Sequence, residues 1–188
     1  MKIKSVKATW IHVPIPEAEQ HTSDFGVIDA FDAALVRIET ESGLVGYGEG
    51  RASVFSSGNN APLVSLINDD FGPALVGENA GDPARLWELM YNGTRAHYAL
   101  KRGRPFPALG RRGLTIAAIS AIDMALWDIL GRSLNAPVWQ LLGGLTHAKL
   151  PAYASGGWAP ADGIGAQLQS YIDRGGFKAV KMRVGTGD

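Results

Sequence analysis

The 188-residue sequence predicts an α+β chain, in which a three-stranded antiparallel meander with helices is followed by a β-α-β unit. Three observations carry this expectation. Residues 3–13 and 33–40 alternate apolar and polar in the strand manner, and Ser42-Gly43 turns the chain into a third strand, Leu44-Val45-Gly46-Tyr47-Gly48-Glu49. A helical pattern over 115–132 carries apolar residues around most of its circumference, which predicts a helix buried on more than one side. Beyond Gly143-Gly144 the pattern changes, and residues 150–155, 162–174 and 179–184 read as strand, helix, strand. Such strands run parallel and need further neighbours to form a sheet.

Composition narrows the function classes. Eighteen basic residues balance eighteen acidic ones at a pI near 6.9, so no bulk field exists to gather nucleic acid or an anionic membrane, and neither is expected as a partner. The absence of cysteine rules out disulfides, thiolate metal sites and a cysteine nucleophile, and it fits a cytoplasmic protein. Met1-Lys2-Ile3-Lys4 leads straight into strand-like sequence, so no secretory signal is expected. The most apolar stretch, 114–130, is interrupted by Asp123 and Asp128, which argues against a membrane span.

Between the first two strands, residues 14–29 are predicted as a polar loop too long for a simple hairpin, with His21 and Asp24 within it. Gly46-x-Gly48-x-Gly50 lacks the spacing of a dinucleotide-binding fingerprint, and its glycines are expected to permit close packing or a bulge. A second polar loop spans 51–60. Helices are predicted over 62–71 and 82–91, with Asp82 as N-cap and Pro83 in the first helical position. Residues 95–112 hold six basic residues and no acidic one, a pattern expected at a subunit contact or beside an anionic substrate.

In the long helix Asp123 and Asp128 lie five apart, about 140° around the axis, and so do not form a paired-carboxylate site. Capping or pairing with an arginine is the expected role. Asn135-Ala136-Pro137 introduces a short helix ending near Leu142, and 143–149 reads as a linker, giving domains 1–145 and 146–188.

The chemistry concentrates near the end, in Gly176-Phe177-Lys178-Ala179-Val180-Lys181-Met182-Arg183-Val184-Gly185. Strand alternation puts Ala179, Lys181 and Arg183 on one face. That face is either the charged side of a solvent-exposed edge or, in a barrel, the lumen, with two cations at its C-terminal mouth.

Gly43-Leu44-Val45-Gly46-Tyr47-Gly48-Glu49, then Ala121-Ile122-Asp123-Met124-Ala125-Leu126-Trp127-Asp128-Ile129 with Leu141-Leu142-Gly143-Gly144, then Gly176-Phe177 through Lys181-Met182-Arg183 occur in this order along essentially the whole chain. In this the sequence resembles the enolase superfamily, in its mandelate racemase/muconate lactonizing enzyme-like branch. The resemblance implies that 1–145 is the N-terminal α+β capping domain and that 146–188 begins a TIM-like (β/α)7β barrel, truncated here. It further implies a Mg²⁺-dependent enzyme that abstracts the proton α to a carboxylate through an enediolate.

By position Lys181 resembles the first lysine of the family's Lys-x-Lys motif, which neutralises the substrate carboxylate. Arg183 stands where the second lysine would be. A guanidinium stays protonated at physiological pH, so Arg183 is expected to act as an electrostatic clamp and not as a base. Ser155 at the end of the first barrel strand, with His21, Asp24 and Arg51 in the two loops, are the implied substrate-binding residues. The Mg²⁺ ligands are expected on later barrel strands, and no metal ligand is assigned within these residues.

The weakened second base favours an acid-sugar dehydratase, a hydro-lyase, over a racemase, epimerase or cycloisomerase, because racemisation needs bases on both faces. The enzyme reading applies to a full-length protein, and the 188 residues alone are expected to be inactive; a non-catalytic fragment is the reading from a different class. A small carboxylate, an acid sugar, is the expected partner, together with self-association into a homo-oligomer.

Overall fold

In the computed structural model the described residues are 1–23, 26–52, 58–93, 113–157, 159–182 and 184. Strand alternation builds the first layer. The strands of the N-terminal part are β1 (Ile3–Pro14), β2 (His21–Ser23), β3 (Gly26–Ile28), β4 (Ala30–Thr40) and β5 (Val45–Gly50). β1, β4 and β5 form an antiparallel sheet in that order, with Trp10 opposite Ala34, His12 opposite Asp32 and Val36 opposite Gly48. Along β4 every even-numbered residue from Ala30 to Thr40 is buried and so marks the core face.

Helices cover that face. They are α1 (Ala61–Ser65), continued by a π-helical turn (Leu66–Phe71) into α2 (Gly72–Leu75), then α3 (Pro83–Asn92), α4 (Leu114–Leu134) and α5 (Val138–Leu141). α4 packs on β5 without intervening side chains. A Cβ at Gly48 would lie 2.0 Å from the carbonyl oxygen of Ala121, and one at Gly46 would lie 2.3 Å from that of Ala125. Alternate strand residues repeat at about 6.7 Å and helix residues four apart at about 6 Å, so the Gly46-Gly48-Gly50 row and the Ala117-Ala121-Ala125 row run alongside each other nearly in step. The glycines serve close packing, as the sequence predicts. α4 has the length and apolar composition of a membrane span, but Ile119, Ile122, Leu126 and Ile129 are fully buried in this core.

Side chains close both sheet edges. Asn68 accepts the Ala8 amide at 2.7 Å and donates to the Ala8 carbonyl at 3.0 Å, mimicking a neighbouring strand along β1. Asp128 accepts the Tyr47 amide at 2.9 Å on β5 and also pairs with Arg132 at 3.0 Å, the structural role expected for it. Each of these side chains occupies backbone groups that an added strand would need.

Several elements differ from expectation. Residues 14–29 are not a plain loop: a 3₁₀ turn (Glu17–Glu19) precedes an antiparallel ribbon of β2 and β3, which satisfies backbone groups locally. The helix predicted over 62–71 continues to Leu75 and contains the π turn that carries Asn68. α3 begins at Pro83 as predicted, but the Asp82 side chain does not cap it. That carboxylate instead accepts a bond from Asn79 at 3.1 Å and faces Arg85.

The chain forms two compact units, one of Met1–Pro14 and Ala30–Gly144, the other of Ile15–Asp29 and Leu145–Asp188. In the second unit β6 (Ala154–Ser155) and β7 (Val180–Lys181) pair in parallel across α6 (Ile164–Gly175). Both strands are shorter than the predicted 150–155 and 179–184. Among the described residues each pairs only with the other, and a two-stranded parallel ladder holds few residues in register. Tyr171 of α6 lies over Gly156, its hydroxyl 2.5 Å from where a Cβ would stand.

Candidate functional site

The β6/β7 register decides which side chains meet. Ser155 pairs with Lys181, and the amide of Gly156 donates to the Lys181 carbonyl at 3.1 Å. Register partners of a parallel ladder share a face about 4.8 Å apart, so Ser155 and Lys181 stand side by side, both exposed. The structure thus brings together two of the residues expected at the site. Arg183 lies outside the described residues.

Arg51 belongs to the other unit. Its Nε donates to the main-chain carbonyl of Asp32 at 3.2 Å, and it borders a groove of about 220 Å³ lined by Ile11, Val13, Phe31, Ala33 and Glu49 on the outer sheet face. His21 begins β2, where its backbone pairs with Ile28, and its side chain is outside the described set. Asp24 is outside it too, as is the basic segment 95–112.

Sequence reasoning missed a polar cluster on the core side of the same sheet. Asp32 is 4% exposed, and its carboxylate collects three donors. Trp10 Nε1 at 2.5 Å and His12 Nδ1 at 2.9 Å donate to Oδ1, and the amide of Gly58 donates to Oδ2 at 3.0 Å. Burial alone would raise this carboxyl, but the bonds from His12, Gly58 and Trp10 outweigh it and hold Asp32 below the ordinary carboxylate range. Buried Asn60 sits nearby, accepting the Ala52 amide at 2.8 Å and donating to the Gly58 carbonyl at 3.1 Å. The available signal was parity: Asp32 is an acid at a core-facing position of an alternating strand, flanked by Ala30 and Ala34.

Asp123 shows the opposite effect. Desolvation raises its carboxyl above the usual range, partly offset by a hydrogen bond with Trp127. Among the described residues no three of His, Asp or Glu come together as a site that could hold Mg²⁺.

Comparison with known proteins agrees with the architecture. The family model for the mandelate racemase/muconate lactonizing enzyme N-terminal domain matches residues 5–143. A 3,6-anhydro-α-L-galactonate cycloisomerase of Streptomyces coelicolor is 31% identical over 189 residues, covering 99% of this chain and 47% of the relative. A D-galactonate dehydratase of Klebsiella pneumoniae is 42% identical over 134 residues, covering 69% of this chain and 30% of the relative. The crystal structure of a racemase from Streptomyces coelicolor with bound magnesium superposes with a TM-score of 0.77 at 30% identity, covering 99% of this chain and 48% of that one. The chain therefore spans about half or less of the length of the relatives it matches.

Proposed function

Because the chain belongs to the mandelate racemase/muconate lactonizing enzyme family of the enolase superfamily, whose members similar to it are lyases, isomerases and racemases, we propose that it works as part of an acid-sugar dehydratase. The observation that carries this reading is the Ser155/Lys181 register, which sets an exposed ammonium beside a hydroxyl on one face of the parallel ladder. In the reaction a base takes the proton α to the carboxylate, leaving an enediolate whose second negative charge is shared by the α-carbon and the carboxylate oxygens, and the β-hydroxyl then takes up a proton and departs as water. Lys181 neutralises that charge as it develops, with Ser155 holding a substrate oxygen. Arg183, two residues further along the sequence, is proposed as the permanent cation, and His21, Asp24 and Arg51 are the proposed substrate-binding residues of the N-terminal part. Residues 1–145 serve as the capping domain and 146–188 as the start of the barrel. Mg²⁺ is the proposed cofactor, with ligands outside the described residues, and self-association and a cytoplasmic location complete the proposal.

The second reading is a cycloisomerase, favoured by a relative of that activity matching 99% of the chain, where the dehydratase matches 69%. Mass spectrometry of the products from D-galactonate and from 3,6-anhydro-α-L-galactonate, offered separately, distinguishes the two, since dehydration of the first removes water and isomerisation of the second leaves the mass unchanged. Lys181→Ala is expected to lower turnover by about a hundredfold or more, the scale of removing one preorganised stabiliser of transition-state charge. Near-normal turnover in that variant removes Lys181 from the mechanism. Arg183→Lys exchanges a permanent charge for a titratable one, so the pH-rate profile should gain an alkaline limb; an unchanged profile makes Arg183 structural.

A further inference from the structure

We propose that Asp32 is a positioning residue that ties together the two ends of the 51–60 connection and orients Arg51. Both halves of the residue take part. The carboxylate receives the Gly58 amide at 3.0 Å, at one end of the connection. The main-chain carbonyl receives Arg51 Nε at 3.2 Å, at the other. Asn60 makes the second tie, from the Ala52 amide at 2.8 Å and to the Gly58 carbonyl at 3.1 Å. Behind them Trp10 and His12 hold the Asp32 carboxylate from β1, so the connection is anchored to the central strand of the sheet. An ionised carboxylate only accepts, which suits a point where three N–H donors converge. Burying a carboxylate is costly unless it is fully hydrogen-bonded, and a plain connection could be packed with apolar residues instead. The bonds at this position converge on the segment bearing Arg51. Its consequence for specificity rests on the proposed acid-sugar reading, in which Arg51 meets the substrate.

The test begins with amide exchange in Asp32→Asn. A carboxamide offers one accepting oxygen where two now serve three donors, so at least one donor is left facing an NH₂ group. Exchange at Gly58 should quicken about ten- to a hundredfold, the loss of one charge-assisted bond, while Ala125 and Ile129 of α4 keep their protection. Unchanged Gly58 exchange with α4 intact overturns the proposal. The unmodified protein supplies a second readout that does not depend on the variant folding. In an NMR titration the Gly58 amide proton must shift with the same midpoint as the Asp32 carboxyl carbon, and an amide that fails to follow overturns the proposal.

The kinetic readout is taken in a full-length enzyme that supplies the rest of the proposed barrel, with D-galactonate and Mg²⁺ as probes. Asp32→Asn should raise KM by about tenfold with kcat nearly unchanged, the signature of lost positioning in binding. A fall in kcat at constant KM overturns the positioning role. A full-length parent without turnover counts against the dehydratase reading alone, and the two amide measurements then decide the fate of the Asp32 proposal.

Discussion

Gly48→Ala tests the packing on which the N-terminal unit depends. The added methyl would stand 2.0 Å from the Ala121 carbonyl oxygen, in backbone that no side-chain rotation can clear. A carbon and a carbonyl oxygen need about 3.3 Å, so α4 must retreat from β5 by roughly 1.3 Å. Four large side chains of α4, Ile119, Ile122, Leu126 and Ile129, are fully buried. Each contributes about 2 kcal/mol by burial, and a gap of around 1 Å forfeits a quarter to a half of the contact energy, giving a loss of about 2–4 kcal/mol. For a chain of this size that lowers the thermal midpoint by roughly 5–15 °C. Tryptophan fluorescence during thermal unfolding is the assay, because Trp10, Trp87, Trp127 and Trp139 all lie in this unit. The control is Gly165→Ala in α6, where nothing lies within 4 Å of the new methyl. It should be neutral or stabilise by up to about 1 kcal/mol, since alanine restricts the unfolded chain. A shift under about 2 °C for Gly48→Ala would refute the close-packing argument, because a backbone clash of this depth cannot be relieved at so small a cost.

Two further outcomes concern titration. The folded carboxyl of Asp32 titrates below the ordinary aspartate value of 3.8, so its stabilising contribution is complete above that value and fades as the pH falls through the folded value. Acid unfolding of the parent should therefore steepen below about pH 4, and Asp32→Asn should flatten that limb; parallel curves would show that Asp32 contributes nothing there. Asp123 has the opposite sign, because its raised carboxyl means that ionisation costs more in the folded state. Asp123→Asn should gain stability relative to the parent as the pH rises from 3 to 7 in urea unfolding, and an equal difference at both ends of that range would contradict the desolvation argument.

Strand parity made part of the observed placement of the candidate residues legible, and its limits were those of parity. Alternation placed Lys181 on one face of its strand, but only the parallel register with β6 put Ser155 beside it. Asp32 occupied a core-facing position in plain view, yet its donors come from β1, twenty or more residues away, and from Gly58 on a connection whose path the sequence does not specify. The same holds for Asn68, whose match to the edge of β1 spans sixty residues and depends on a π turn that helical periodicity does not reveal.

The sequence by itself determined the three strands of the meander, the main helices and their order, but not the β2–β3 ribbon or the π turn, because hydrophobic period, turn residues and the Pro83 start are local properties that act within a few residues. It also marked Gly46, Gly48 and Gly50 as a place of either close packing or a bulge. The tertiary structure alone decided what they meet, which edge amides Asn68 and Asp128 cover, and how a buried carboxylate is satisfied. Those outcomes depend on distances between segments far apart in the chain, set to tenths of an ångström by packing the whole core at once.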